Sequence, residues 1–139
     1  MSADKAFLDT NVLVYAFDRD EPAKCERAQA VLASAKPGAL TVSAQVLGEF
    51  YVTVTRKLAR PLEETKAAEA LEWLGLLPVV ALDAPLVGAA VRVSRSAQLS
   101  YWDALIVAAA QAAGCPLLLS EDLGDGQTIG TVRVENPFR

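Results

Sequence analysis

Histidine is absent from this sequence of 139 residues. That single absence removes Ser–His and Cys–His nucleophilic systems and the common zinc constellations. Cysteine is scarce: Cys25 and Cys115 stand far apart and belong to no CxxC pattern. Neither a disulfide framework nor a thiolate metal site is expected on that basis, and the two read as small buried hydrophobes. No apolar run approaches the roughly 20 residues that a membrane helix needs. The opening MSADKAF has no apolar leader core, so a cytoplasmic protein is expected, with no membrane partner. Cations are missing where acids gather. No Lys or Arg occurs from Ser96 to Val132, a stretch that holds Asp103, Glu121, Asp122 and Asp125.

What is present fits one compact α/β domain over residues 1–139. Hydrophobic residues make up 53% and charged residues 22%, somewhat more apolar than the globular average, which supplies a core. The net charge of −4 and pI near 4.8 weigh mildly against a nucleic-acid partner, although the uneven distribution matters more than the sum.

Along the chain, short apolar runs alternate with amphipathic stretches. Lys5–Leu8, Ala39–Val42, Leu77–Leu82 and Leu117–Leu119 read as strands, and Val132–Glu135 as an edge strand. Helices are expected over Val12–Phe17, Ala23–Ser34, Ala44–Leu58, Glu63–Leu74 and Pro85–Ala97, and from Ser100 through YWDALIVAAAQAA. Pro22 suits a first helical turn, while Ser43 and Asp83 suit N-caps. Neither a repeat nor a linker is evident. Strand–helix alternation predicts a mainly parallel central sheet with helices on both faces.

Such sheets place ligands beyond the carboxyl ends of their strands. Asp9 and Asp122 each follow a predicted strand, with Thr10, Asn11 and Ser120 as polar neighbours. Helix capping explains Asp9, Thr10 or Asn11 equally well at this level. Asp103 follows Ser100 by three residues, as in a capping box, and Glu49 lies in the first half of its helix. Neither acid has a cation three or four residues away, so no helical ion pair accounts for it. Should these acids converge, two carboxylates about 5 Å apart repel by roughly 3 kcal/mol at an effective dielectric near 20. Such a cluster protonates or takes a divalent cation, and all-oxygen ligands favour Mg2+ or Mn2+. A metal held on one side by carboxylates suits phosphate chemistry. Other acid-dependent systems fail on particular residues. A haloacid-dehalogenase-type phosphatase needs an acid where Asn11 stands, and a receiver-type phosphoacceptor needs a late lysine, whereas none follows Lys66. The GDG at Gly124–Gly126 is not followed by the Lys-Ser/Thr of a P-loop.

The segments FLDTNVLVYAF, SAQVLGEFYVTVTRKL, YWDALIVAAA and LLSEDLGDGQTIGTVRVENPF, in that order and spacing, resemble the PIN-domain ribonucleases. Within that family the resemblance is to the VapC-type toxins of bacterial toxin–antitoxin pairs, from about Lys5 to Phe138. It implies a Mg2+- or Mn2+-dependent endoribonuclease with a four-acid site at Asp9, Glu49, Asp103 and Asp122, supported by Thr10, Asn11 and Ser120. Asp122 occupies the family's final acidic position; Asp125 is a candidate for a second metal, and Glu121 is expected on the surface. A VapB-type antitoxin and a toxin homodimer are implied partners, with RNA as substrate. Arg19, Lys24, Arg27, Arg56 and Lys57 are candidate RNA contacts, although a solvated helical face explains any single one of them better. Two further readings remain: a PIN nuclease in RNA processing without a toxin role, or chiefly a protein-binding module with a groove along Val12, Val14 and Phe17.

Overall fold

The first strand, β1 (Ala6–Leu8), is buried along its whole length, as a central parallel strand must be. The structure is a computed structural model that describes residues 5–139; the first part of the N-terminal stretch read above for a leader lies outside them. After β1 come α1 (Thr10–Tyr15), α2 (Pro22–Ser34), β2 (Leu40–Ser43), α3 (Ala44–Arg56), α4 (Glu64–Leu74) and β3 (Val79–Val80). The second half holds α5 (Ala84–Ala97), α6 (Tyr101–Ala112), β4 (Leu117–Leu119), β5 (Thr128–Ile129) and β6 (Val132–Glu135).

The sheet order is β3-β2-β1-β4-β6-β5, parallel throughout except for the antiparallel β5–β6 pair. The chain steps outward from β1 to β2 and β3, then crosses back to lay β4 on the other side of β1. Right-handed crossovers therefore put the helices of the two halves on opposite faces. The packing agrees: α1 touches α2 and α3, and α3 touches α4, while α5 packs on α6, which lies against β2, β4 and β6. The expected α/β architecture, a mainly parallel sheet between helical layers, is the one observed. Where the two excursions diverge, between β1 and β4, the sheet opens a crevice at its carboxyl edge.

Local sequence explains the helices that frame this crevice. Ser43 caps α3, its Oγ accepting from Val46 N at 3.2 Å. Val46, Phe50 and Val54, one turn apart, are all buried, and the Phe17 ring meets Phe50 edge-on at 5.3 Å. Ser100 caps α6 through Asp103 N at 3.1 Å, and every residue from Ala104 to Ala110 is buried. Its alanines have little side chain to keep the helix away from α5 and the sheet.

Several expectations are corrected. The strand expected over Leu77–Leu82 narrows to Val79–Val80, because β3 is an edge with one neighbour and Leu82 lies exposed. The strand Val132–Glu135 is interior rather than an edge: the Gly-rich segment supplies β5, which folds back on it through a two-residue turn with Gly130 at φ +60°. Val12 and Val14 face the core and line no groove. Cys115 is buried as expected, whereas Cys25 is only half-buried. Among the described residues no helix is long and apolar enough to cross a membrane.

Candidate active site

At the β1–β4 crevice, Asp9 closes β1 and its backbone N–H donates to Leu119 O at 3.0 Å, extending the strand pairing by one residue. Its carboxylate is 8% exposed and serves as N-cap of α1, with Oδ1 accepting from Thr10 N at 2.7 Å. Oδ2 accepts from Ser120 Oγ at 2.8 Å. Burial pushes the Asp9 carboxyl up to about 6; the bonds from Ser120 and Thr10 pull it down, and the nearby charges of Asp122 and Glu49 push it up again. Capping and a site role, alternatives in the sequence, thus coincide on one residue.

Ser120 joins β4 to the loop that carries Asp122. It is fully buried, and besides donating to Asp9 its Oγ accepts from Asp122 N at 3.1 Å and Leu123 N at 3.3 Å. One hydroxyl therefore fixes both the Asp9 carboxylate and the turn holding Asp122. Asn11 completes the tie: its Nδ2 donates to Asp122 Oδ2 at 3.1 Å, and its Oδ1 accepts from Glu121 N at 3.1 Å. On the other side, Thr10 Oγ1 donates to Glu49 Oε1 at 2.7 Å, while Gln45 Nε2 donates to Glu49 Oε2 at 3.2 Å. Asp9, Thr10, Asn11, Glu49, Ser120 and Asp122 thus form one hydrogen-bonded group.

Asp103 stands apart from that network. Its carboxylate is exposed on the first turn of α6 and no hydrogen bond to it is found among the described residues. Because α6 turns directly into β4, its N-terminus lies at the same carboxyl edge of the sheet. Asp125 is engaged elsewhere, accepting from Asn136 N and from Arg139, each at 2.8 Å. Among the described residues no three acids stand at metal-ligand spacing. The donor set nonetheless has the chemistry of a hard-cation site: the side-chain donors are oxygens, and the Asp9 carboxylate is pushed up first by burial and then by the acids Asp122 and Glu49.

Glu121 departs from expectation. It is only 24% exposed, and pairs with Lys24 of α2 while accepting from Tyr15 Oη at 2.7 Å. Lys24 also lies over the Tyr15 ring, 4.8 Å from its centre. Burial raises the Glu121 carboxyl, but the bonds from Lys24 and Tyr15 more than reverse this and leave it below the usual range. The same contacts raise Lys24, chiefly through its bond to Glu121, whereas burial and then the bond to Glu121 raise Tyr15. This clasp ties α1 and α2 to the Asp122 loop. Sequence spacing carried no signal for it, since Lys24 and Glu121 are 97 positions apart. Of the other cations, Arg27 donates to Pro137 O at 2.7 Å, whereas Arg19, Arg56 and Lys57 are exposed.

The PIN domain family profile matches residues 6–124. The chain belongs to the PIN domain family. No curated protein sequence matches it. Among solved structures, it is similar to a toxin–antitoxin complex from Klebsiella pneumoniae, at 22% identity and TM-score 0.71 over 96% of this chain and 98% of the other. It is also similar to FitAB bound to an IR36 DNA fragment, at 23% identity and TM-score 0.74 over 96% of each chain. A third similar structure is VapC20 of Mycobacterium tuberculosis, a toxin that cleaves the sarcin–ricin loop, at 23% identity and TM-score 0.63 over 82% of this chain and 87% of that one. At these identities the likeness establishes a shared fold.

Proposed function

We propose that this chain is a cytoplasmic, Mg2+- or Mn2+-dependent endoribonuclease acting as the VapC-type toxin of a toxin–antitoxin pair. One observation carries the reading: at the sheet's switch point the buried carboxylate of Asp9 is tied through Ser120 to the turn holding Asp122 and through Thr10 to Glu49, so that three acids share one hydrogen-bonded group. Asp9 and Asp122 would hold the metal, with Glu49 and Asp103 completing the four acids directly or through water. A bound divalent ion supplies charge neutralisation at the phosphate and a more acidic water. The chain's own residues supply the rigid frame around it. Ser120 orients Asp9, Asn11 orients Asp122 and Thr10 orients Glu49, so the acids need little reorganisation during the reaction. The family membership and the solved toxin structures of the same fold support the nuclease reading.

Two surfaces support the implied partners. A cleft of about 740 Å³ lies between α2 and α4, lined by Ala16, Phe17, Leu32, Ala70 and Trp73, the last 57% exposed. Its apolar lining suits a segment of a VapB-type antitoxin. The second is the outward apolar stripe of Val87 and Val91 on α5, which suits a homodimer.

Incubation of purified protein with total cellular RNA, with and without Mg2+ and after chelation, tests the proposal. Cleavage that needs the ion and is lost in Asp9→Asn and Asp103→Asn is the expected result. Undiminished cutting by either variant overturns the site assignment. Toxicity that survives neutralisation of all four acids favours the protein-binding alternative. RNA cleavage without toxicity on expression favours the RNA-processing one.

A further inference from the structure

Beside Glu49 the surface opens into a cleft of about 340 Å³ lined by Thr10, Gly48, Glu49, Val52, Thr53 and Lys57. Five of the six belong to α3 or its C-cap, and they follow one outward stripe of that helix at three- and four-residue spacing. Gly48 is the anomaly. It sits inside the helix, where glycine is entropically unfavourable, and a Cβ built there would meet nothing within 4 Å. No packing within the chain requires the missing side chain. A side chain there would stand in the cleft, whose floor glycine leaves open. Val52, one turn further on, is 47% exposed and offers an apolar surface. Lys57 closes the far end, about 12 Å along the helix from Glu49, and has no ion pair among the described residues.

We propose that this cleft is a binding subsite for RNA flanking the scissile phosphate, with the strand passing over Gly48, a sugar or base against Val52, and a neighbouring phosphate at Lys57. The inference rests on the nuclease reading and adds to it the path by which one arm of the substrate leaves the acids. Because Gly48, Val52 and Lys57 stand on one rigid helix with Glu49, strand placement and acid placement share a frame. The subsite governs binding, not the chemical step.

Steady-state kinetics on a single-stranded RNA oligonucleotide containing one mapped cut site tests it. The variants are Gly48→Leu, Gly48→Ala and Lys57→Ala, with sedimentation and thermal unfolding of each. Gly48→Leu is expected to raise KM tenfold or more with kcat within about twofold. Lys57→Ala is expected to raise KM and to lower the slope of log KM against log salt by about one. Gly48→Ala is expected to melt a few degrees higher than the parent while binding RNA more weakly, a combination that structural damage does not produce. Should Gly48→Leu fail to fold, Gly48→Ala and Lys57→Ala still decide the matter. Wild-type KM in these variants, beside a wild-type protein that cuts RNA, overturns the subsite and leaves the nuclease standing. Dissociation of Gly48→Leu from dimer to monomer also overturns it, by assigning the cleft to a second copy. A wild-type protein that cuts no RNA overturns the nuclease reading itself.

Discussion

Burial, with a smaller push from the charges of Asp122 and Glu49, raises the Asp9 carboxyl from 3.8 to about 6. The folded chain therefore binds this proton more tightly than the unfolded chain does, so stability falls as pH rises. Its contribution is absent as a penalty below pH 4, develops between about pH 4 and 6, and levels off above, at about 3 kcal/mol. Urea unfolding in chelator at pH 4 and pH 7 checks this, and Asp9→Asn is expected to flatten the difference. Added Mg2+ or Mn2+ is expected to restore most of the stability at pH 7. Ser120→Ala is expected to cost 1–3 kcal/mol, roughly, because it strips partners from a buried carboxylate and two backbone amides together. Asp9, Ser120 and Asp122 were legible in the sequence because each follows an apolar run that can only be a buried strand. Glu49 stood out through the lack of a cation at helical spacing, and Thr10 and Gln45 turn out to hold it. The Tyr15–Lys24–Glu121 clasp was not legible, since nothing in local spacing pairs residues from opposite ends of the chain.

Among the elements, α5 ends on Gln98 in the left-handed region, at φ 56° and ψ 44°. A side chain there costs about 1–2 kcal/mol, partly offset by the entropy that a glycine would lose on folding. Gln98→Gly is expected to stabilise the protein by roughly 0.5–1 kcal/mol, read as a higher urea midpoint with unchanged slope. The helices were legible because their caps and apolar stripes agree: Ser43 with Val46, Phe50 and Val54, and Ser100 with the buried run from Ala104. The strands at the margins were not. The run Leu77–Leu82 is apolar beyond its two paired residues, so composition alone overstated β3. Thr128–Ile129 is too short to show a period of two, and only the Gly130 turn brings it against β6. Asp103 is held at its edge by the length and direction of α6, a property of the whole helix, and no contact of its own was there to be read.

At the level of the molecule, the exposed apolar residues Val87 and Val91, one turn apart on α5, make self-association the expected state. Val87→Glu combined with Val91→Lys is expected to give a monomer by light scattering, with little loss of stability because both side chains already face solvent. The fold itself was the most legible feature, since strand–helix alternation and right-handed crossovers leave few ways to arrange short parallel strands around β1. The same topology makes the centre of the sheet a late part to be completed, since β4 enters beside β1 only near residue 117. Asp9 and Ser120 meet across 111 positions of chain. A ribosome must therefore have translated past Ser120 before Asp9 acquires its neighbours, and a premature stop codon anywhere upstream of Asp122 would release a fragment in which this group of side chains cannot assemble.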